Sequence, residues 1–171
     1  MSKTIYVNWD NQNIKLTWVP TTELPDVNLV TSVHGCCFYQ DKILLVNIKG
    51  RGFNMPGGHM EKGETPEQTL LREAMEEGYV TGNLSFLGCI EVSHEENPKY
   101  NPNGKYPLVG YQLFYRMDIT ECLPFQRENE AICRIWVEPE EFPYVINDHE
   151  LSHLVVDKAL SIETGIVSLP K

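Results

Sequence analysis

Apolar and polar residues alternate through much of the first twenty positions, the pattern of β-strands with one buried face. Residues 4–9 and 14–19 both alternate in this way, and the polar run 10–13 separates them. The pattern predicts a β-hairpin at the N-terminus. Residues 20–28 lack the alternation and are predicted to be a linker.

Later apolar runs bounded by turn residues predict the remaining strands. These strands are expected at residues 30–39, 43–48, 84–92, 108–119 and 132–137. Residues 49–64 are rich in glycine and are predicted to be a loop. A second loop, 97–107, is long enough to suggest a role in binding.

Two helices are predicted, the first over residues 66–77. Thr65 is placed as its N-cap, Pro66 as its first residue and Gln68 as the partner of a capping box. A second helix is predicted over residues 148–162 because apolar residues repeat there at helical spacing. Those residues are Leu151, Leu154, Val155 and Ala159.

The composition is that of a single domain of 171 residues with 42% hydrophobic residues. A net charge of -10 argues against a nucleic-acid polymer as partner. No apolar run is long enough to cross a membrane, and the N-terminus lacks the pattern of a secretory signal, so we expect a cytoplasmic protein. Five cysteines without C-x-x-C spacing favour reduced thiols over a zinc site or disulfides.

Three glutamates share one face of the first predicted helix. Glu73, Glu76 and Glu77 stand at positions i, i+3 and i+4. Their mutual repulsion would be relieved by a hard divalent cation such as Mg²⁺, which binds oxygen ligands. A solvated acidic helix face is the alternative. Gly57 and Gly58 favour the metal hypothesis because main-chain groups there can approach a metal or a phosphate closely, although a plain tight turn would look the same.

A longer pattern around these residues resembles the Nudix box, G-x5-E-x7-R-E-U-x-E-E-x-G-U. The residues that match at the required spacing are Gly58, Glu64, Arg72, Glu73, Glu76, Glu77 and Val80. The preceding residues 52–57 are also similar to the family's lead-in. The resemblance implies a Nudix hydrolase of the MutT-like type, which uses a metal ion to direct water onto a diphosphate.

Two positions depart from the box. Ala74 stands at a position for a bulky aliphatic residue, and Tyr79 stands where the box has its last glycine. Gly78 lies one position early, so we expect the helix to end one residue sooner with Gly78 as the left-handed cap. A positive φ at Tyr79 would instead imply local strain.

The resemblance implies an α/β fold of the α+β kind, an α/β/α sandwich with a mixed sheet, extended by the N-terminal hairpin. The expected division is residues 1–28 for hairpin and linker and 29–171 for the Nudix domain. Trp9 and Trp18 on the hairpin would pack on the domain or against a second subunit, so a homodimer is possible.

Roles for individual residues are also implied by the resemblance. Glu73 would be a metal ligand or the base, Arg72 would orient it, and Glu64 would support the site. The expected metal ligands are Gly57 through its carbonyl, Glu73, Glu76 and Glu77, holding Mg²⁺ or Mn²⁺. The candidates for substrate binding are Arg51, Phe53, Gly58 and Glu130.

Several assignments stay open at the level of sequence. Glu130 and Glu128 are equally candidates for a further acid from a distant loop or for ordinary exposed carboxylates. Aromatic and basic residues could meet a base or a phosphate, although packing is favoured for Phe53; the others are Tyr100, Tyr106, Lys99 and Lys105. His59 and His94 are interpreted as structural.

The implied substrate is a small nucleotide, a nucleoside diphosphate derivative. A nucleoside triphosphate or an oxidised nucleotide is the first hypothesis. ADP-ribose or a dinucleoside polyphosphate is the alternative within the same fold. A non-catalytic nucleotide sensor and a binding module with a merely acidic surface are the hypotheses from other functional classes.

Overall fold

Nine strands hold the largest share of the regular structure in residues 1–162, the part of the chain that the structure, a computed structural model, describes. The strands are β1 Lys3–Trp9, β2 Gln12–Pro20, β3 Val30–Tyr39, β4 Lys42–Ile48, β5 Gly52–Asn54, β6 Gly57–His59, β7 Val80–Ser93, β8 Val109–Cys122 and β9 Ala131–Val137. The helices are α1 Pro66–Gly78, α2 Phe142–Val145 and α3 Leu151–Ser161, with a 3-10 turn at Val27–Leu29. No helix within residues 1–162 is long and apolar enough to span a membrane.

The strands form one mixed sheet in the order β1-β2-β7-β8-β3-β4-β5, with β6 on β3 and β9 on β4. β3 and β8 run parallel, with Val33 opposite Leu113, and the other pairs are antiparallel. β2 pairs with β7, so that Trp18 lies opposite Ile90. The N-terminal hairpin therefore continues the sheet.

The apolar residues of the sheet separate into two clusters, as expected for a sheet covered on both faces. In β4, Ile43 and Leu45 belong to the cluster that α3 covers, whereas Leu44 and Val46 belong to the cluster that α1 covers. This alternation follows from the two-residue period of a strand. The predicted α/β/α sandwich with a mixed sheet and an N-terminal hairpin is confirmed.

The prediction of a loop over residues 49–64 was wrong in part, because the segment contains β5 and β6. Each strand has three residues, too few to show an alternating pattern. β5 is held by hydrogen bonding to β4, and β6 by hydrogen bonding to β3. Pairing with longer neighbours, rather than local sequence, makes these residues extended.

Other element boundaries differ from the prediction by a few residues. β7 begins at Val80 rather than at 84, and the last helix begins at Leu151 rather than at 148. The short helix α2 was not predicted. Residues 163–171 of the expected Nudix domain lie outside the described residues.

The predicted C-cap of α1 was wrong. Gly78 is still helical, and Tyr79 is the left-handed cap with φ 57° and ψ 39°. A Cβ at position 78 would lie 2.7 Å from Leu44 Cδ2, so the glycine lets α1 pack closely on β4. The Tyr79 hydroxyl accepts a hydrogen bond from the Glu128 N–H at 2.9 Å, and its ring packs edge-on against Phe125.

Candidate active site

Helix α1 presents its acidic residues because both ends of the helix are well defined. The predicted capping box is present: the Thr65 hydroxyl accepts from the Gln68 N–H, and the Gln68 side chain accepts from the Thr65 N–H. Leu70 and Ala74 are fully buried on the opposite side of the helix. The packing of these apolar residues anchors the helix, so the carboxylates need not be buried to hold it in place.

Arg72 is at the centre of the acidic cluster. It donates to both oxygens of Glu64, from Nε at 2.8 Å and from Nη2 at 2.9 Å, and to Glu73 Oε1 from Nη1 at 2.8 Å. Glu76 and Glu61 lie 3.5 and 3.9 Å from the same guanidinium. One positive charge therefore faces four carboxylates.

Glu64 is held by more than Arg72. One of its oxygens also accepts from the Glu61 N–H at 2.8 Å and from the Thr69 hydroxyl at 3.1 Å. The hydrogen bonds from Arg72, followed by the one from the Glu61 backbone, lower the pKa of Glu64 to about 2. Glu64 is therefore an ionised hydrogen-bonding partner that holds Arg72 in place.

Glu77 is the most buried of the cluster, with 8% of its surface exposed. Its Oε1 accepts a hydrogen bond from the Gly57 N–H at 3.2 Å. Burial, and then the adjacent Glu73 carboxylate, raise the pKa of Glu77 to about 8. The metal-free protein therefore keeps a proton on Glu77 at neutral pH.

Gly57 and Gly58 belong to strand β6 and not to a tight turn. A Cβ on Gly58 would overlap the Glu73 carboxyl group, and one on Gly57 would overlap the His34 ring. Both glycines are thus required for close approach, Gly58 to α1 and Gly57 to β3.

A cleft of about 490 Å³ opens beside these groups. Seven residues predicted for the site line it, namely Arg51, Gly57, Gly58, Arg72, Glu73, Glu77 and Glu130. Of the two distant acids considered, Glu130 lines the cleft and Glu128 does not. The size lies within the range of about 300–1,000 Å³ usual for small-molecule sites.

Three predicted residues lie outside the cleft lining. Phe53, proposed for substrate binding, packs against the hydrophobic core instead. Its neighbour Asn54 lines the cleft, and adjacent residues of a strand point to opposite faces. Glu64 lies behind Arg72, and the half-exposed Glu76 lies on the outer side of α1.

Several other residues that line the cleft were not predicted from the sequence. They include His34, Gln112, Phe114, Asp148 and His149. The His34 ring stacks on Phe114 at 5.3 Å between centroids, and burial lowers its pKa to about 4. None of these residues belongs to a motif, so tertiary contacts alone bring them to the site.

Most aromatic and basic candidates have structural roles. The Tyr100 hydroxyl donates to the Tyr106 carbonyl at 3.0 Å, and Lys99 Nζ donates to the Asn11 carbonyl at 3.0 Å. Trp18 is buried in the core, so it packs on the domain rather than on a second subunit. Trp9, in contrast, lines the cleft.

Within residues 1–162 no three side chains from His, Cys, Asp or Glu are already arranged around a common point as metal ligands. Glu73 and Glu76 turn toward Arg72, and Glu77 turns toward the Gly57 N–H. The donor set nevertheless fits a hard cation. It consists of oxygen atoms with surplus negative charge, one of them in a buried carboxyl group next to a second carboxylate.

Comparison with known proteins agrees with this architecture. Nudix hydrolase 16, mitochondrial, of Arabidopsis thaliana is 32% identical over 101 residues, which are 58% of this chain and 54% of that protein. The chain thus matches only about half the length of that relative. Nudix hydrolase 21, chloroplastic, of the same plant is 29% identical over 164 residues, covering 78% of each protein.

Solved structures show the same fold. The Bacillus subtilis pyrophosphohydrolase BsRppH superposes with a TM-score of 0.68 at 20% identity, covering 91% of this chain and 94% of that one. The NUDIX domain of Shewanella oneidensis NrtR, complexed with ADP ribose, gives 0.58 at 17% identity, with coverage of 77% and 88%. The family model for the NUDIX domain matches residues 29–157. This chain therefore belongs to the NUDIX family, the Nudix hydrolases, as the box at residues 58–80 predicted.

Proposed function

We propose that the protein is a Mg²⁺-dependent hydrolase that cleaves the diphosphate linkage of a nucleoside diphosphate derivative, with Mn²⁺ able to replace Mg²⁺. The observation that carries the proposal is the position of Glu73 and Glu77 against Gly57 and Gly58 at the wall of one cleft. Such an arrangement brings carboxylates and main-chain groups to the place where a polyphosphate can lie.

Charge balance supports a resident divalent cation. Arg72 is shared among Glu61, Glu64, Glu73 and Glu76, and Glu130 adds a further carboxylate to the cleft. A polyphosphate would be repelled from this surface without a cation. Glu73, Glu76, Glu77 and the Gly57 carbonyl are the proposed ligands. When bound, the metal would supply water activation and stabilisation of the charge that develops on phosphate oxygens.

Glu73 is proposed to take the proton from the attacking water or to serve as a ligand. Its carboxylate accepts from Arg72 Nη1, and Gly58 leaves it the space that it occupies. Arg72 is in turn fixed by Glu64 through two hydrogen bonds. This chain of contacts orients Glu73.

Arg51, Gly58 and Glu130 are proposed to contact substrate, since all three line the cleft. Arg51 is the group suited to a phosphate, because a guanidinium matches phosphate oxygens in a bidentate manner. Glu130 would contact substrate or its metal. The role of substrate contact is not proposed for Phe53, which packs against the core and does not line the cleft.

The substrate proposed first is a nucleoside triphosphate or an oxidised nucleotide. ADP-ribose and dinucleoside polyphosphates are the rivals. The test is a panel of these compounds incubated with Mg²⁺, with release of phosphate, pyrophosphate and nucleoside monophosphate measured. Cleavage of one class at a kcat/KM well above the others would identify it. No cleavage of any member would contradict the proposed function.

Matched variants separate enzymatic turnover from contamination. Glu76→Gln should abolish turnover, whereas Glu140→Gln, at an exposed glutamate outside the cleft, should not change it.

A non-catalytic sensor is the second functional class, and it would bind nucleotides without Mg²⁺-dependent turnover in either variant. Retention of all four glutamates of the box supports the enzyme. The cytoplasmic location and the homodimer stay predictions.

A further inference from the structure

A second cavity of about 310 Å³ adjoins the catalytic cleft. Three residues, Trp9, His59 and Gln112, line both spaces and so mark their common boundary. A molecule with one end among the glutamates would pass these residues to reach the second cavity. The second cavity is large enough to count as a small-molecule site in its own right.

The N-terminal hairpin forms one wall of this cavity through its turn. Asp10 and Asn11 both have positive φ, 51° and 63°, as a two-residue turn of the primed type requires. The turn places Trp9 directly opposite Gln12. Directly paired residues of antiparallel strands project from the same face, and both line the cavity.

The wall is fixed by contacts to the loop that follows β7. Asn97, which is 6% exposed, donates from Nδ2 to Gln12 Oε1 at 2.9 Å. Lys99 Nζ donates to the Asn11 carbonyl at 3.0 Å. The same loop contributes Tyr106 and Pro107 to the lining. The cavity is thus held between two segments that are hydrogen-bonded to each other.

The chemistry of the second cavity differs from that of the cleft. Among the described residues that line it there is no lysine or arginine, and Asp10 is its one carboxylate. Burial lowers the pKa of His94, which disfavours a positive charge on this ring. The remaining polar lining consists of hydroxyls, the His59 ring, the Trp9 indole N–H and the amides of Gln12 and Gln112. The cavity therefore suits an uncharged group with hydrogen-bonding edges rather than a second phosphate.

Two aromatic side chains are accessible in the lining. Trp9 is 39% exposed and Tyr106 is 46% exposed. Exposed aromatic faces bind planar heterocycles by stacking, and neighbouring amides provide donors and acceptors for the edge of a base. A planar, uncharged heterocycle satisfies both features of the lining.

We propose that this second cavity binds the nucleobase of the substrate, with the Trp9 ring as its stacking surface and the N-terminal hairpin as a specificity element. The proposal rests on the proposed function, which places the diphosphate in the adjoining cleft. If a base occupies the second cavity, compounds that carry several phosphates on each side of the diphosphate are excluded as substrates. Such compounds would bring negative charge into a cavity whose described lining contains no lysine or arginine.

The test compares ligands that carry the same phosphate with and without a base. Calorimetry with saturating Mg²⁺ measures binding of the adenosine, guanosine, cytidine and uridine 5′-monophosphates and of ribose 5-phosphate. At least one nucleotide should bind about tenfold or more tightly than ribose 5-phosphate, the order expected of one stacked base. Equal affinity for all five ligands would overturn the proposal.

Variants assign that difference to the cavity. Trp9→Ala should reduce the affinity of the nucleotide to that of ribose 5-phosphate, and Trp9→Phe should retain most of it. Gln112→Leu, on the central strand β8, tests the cavity independently of the hairpin and should also weaken nucleotide binding. Tyr144→Ala is the control, since Tyr144 is 90% exposed and lines neither space. Unchanged nucleotide affinity in both Trp9→Ala and Gln112→Leu would contradict the assignment.

These measurements do not require turnover. Tight binding that depends on the base and on Trp9, without hydrolysis of any compound in the panel, would refute the proposed enzyme and retain the base site. Hydrolysis of a compound in the panel, combined with equal binding of nucleotides and ribose 5-phosphate, would support the proposed enzyme and refute the base site.

Discussion

Arg72 donates two hydrogen bonds to one carboxylate, Glu64, from Nε at 2.8 Å and from Nη2 at 2.9 Å. This fork leaves Nη1 directed at Glu73, which it contacts at 2.8 Å. The two hydrogen bonds to Glu64 fix the plane of the guanidinium group, and this plane sets the position of the Glu73 carboxylate. A residue eight positions before Arg72 therefore controls the orientation of the proposed base.

Arg72→Lys should lower kcat by about tenfold to a hundredfold. A lysine keeps the charge but loses the planar fork, so it cannot contact Glu64 twice and Glu73 at once. A charge-assisted hydrogen bond contributes about 1.5–3 kcal/mol, and each 1.4 kcal/mol is about tenfold in rate. Steady-state kinetics on the substrate found in the panel would measure the change, which should exceed any change in KM.

Arg127→Lys is the matched control for this substitution, because Arg127 is exposed and lies outside the cleft lining. It should leave kcat unchanged. Wild-type kcat in Arg72→Lys would show that charge alone suffices at position 72, and the positioning role would be withdrawn.

Glu77→Gln should abolish stabilisation by Mg²⁺ without destabilising the metal-free protein. Glu77 is buried and already protonated at pH 7 in the metal-free state, because burial and Glu73 raise its pKa to about 8. Glutamine has the same shape and can still accept from the Gly57 N–H. Thermal unfolding with and without Mg²⁺ would measure both effects, with Glu140→Gln as control. A large fall in the metal-free melting temperature would contradict the protonated state.

Glu77 should contribute a loss of stability to the metal-free protein as the pH rises from about 4.5 to 8. In this range the folded state keeps a proton on Glu77 that the unfolded chain has released, since the ordinary pKa of the group is 4.5. The contribution of Glu77 is thus fully present below pH 4.5 and lost as the pH passes 8. Burial of His34, which lowers its pKa to about 4, gives a slope of opposite sign below about pH 6.5, so the measurement compares two proteins. The difference in free energy of unfolding between the wild type and Glu77→Gln, from urea denaturation at several pH values, should show the slope of Glu77 alone.

The same proton links metal binding to pH. Binding of Mg²⁺ to an ionised Glu77 should release the proton at pH 7, so that the affinity for Mg²⁺ rises with pH up to about 8. Calorimetric titrations in buffers with different heats of ionisation should then give different apparent enthalpies. Identical enthalpies in all buffers would show that Glu77 is already ionised in the metal-free protein.

Helix α1 was predictable because local signals and the motif agree there. Thr65, Pro66 and Gln68 mark its start, and the spacing of Glu73, Glu76 and Glu77 sets one face. These are short-range properties of the chain. The motif also identified Arg72 and Glu64, although it did not indicate that their contact would be bidentate.

The rest of the site depends on contacts distant in sequence. His34 reaches the cleft because β3 pairs with β6, and Gln112 reaches it from the adjacent strand β8. Phe53 packs against the core, the role favoured for it over substrate binding, and the three-residue strand that orients it has no pattern that could have decided between the two. Trp9 illustrates the same limit, since the sequence predicts its hairpin but not where the tip lies.

Tyr79→Gly should destabilise the protein, even though Tyr79 has a backbone conformation that favours glycine. A glycine adopts the left-handed conformation at φ 57° without the steric cost that a tyrosine has there. This effect alone would raise the free energy of unfolding by about 1–2 kcal/mol. The Tyr79 side chain is 8% exposed, packs on Phe125 and accepts a hydrogen bond from the Glu128 N–H. Its removal would cost about 3–5 kcal/mol of stability. The net loss in free energy of unfolding, measured by urea denaturation, should be about 2 kcal/mol, the difference of these two effects. Asp41→Gly is the control, since Asp41 has φ 64° but an exposed side chain, and it should not destabilise. A gain in stability in Tyr79→Gly would mean that backbone strain, and not packing, dominates where the box departs from glycine.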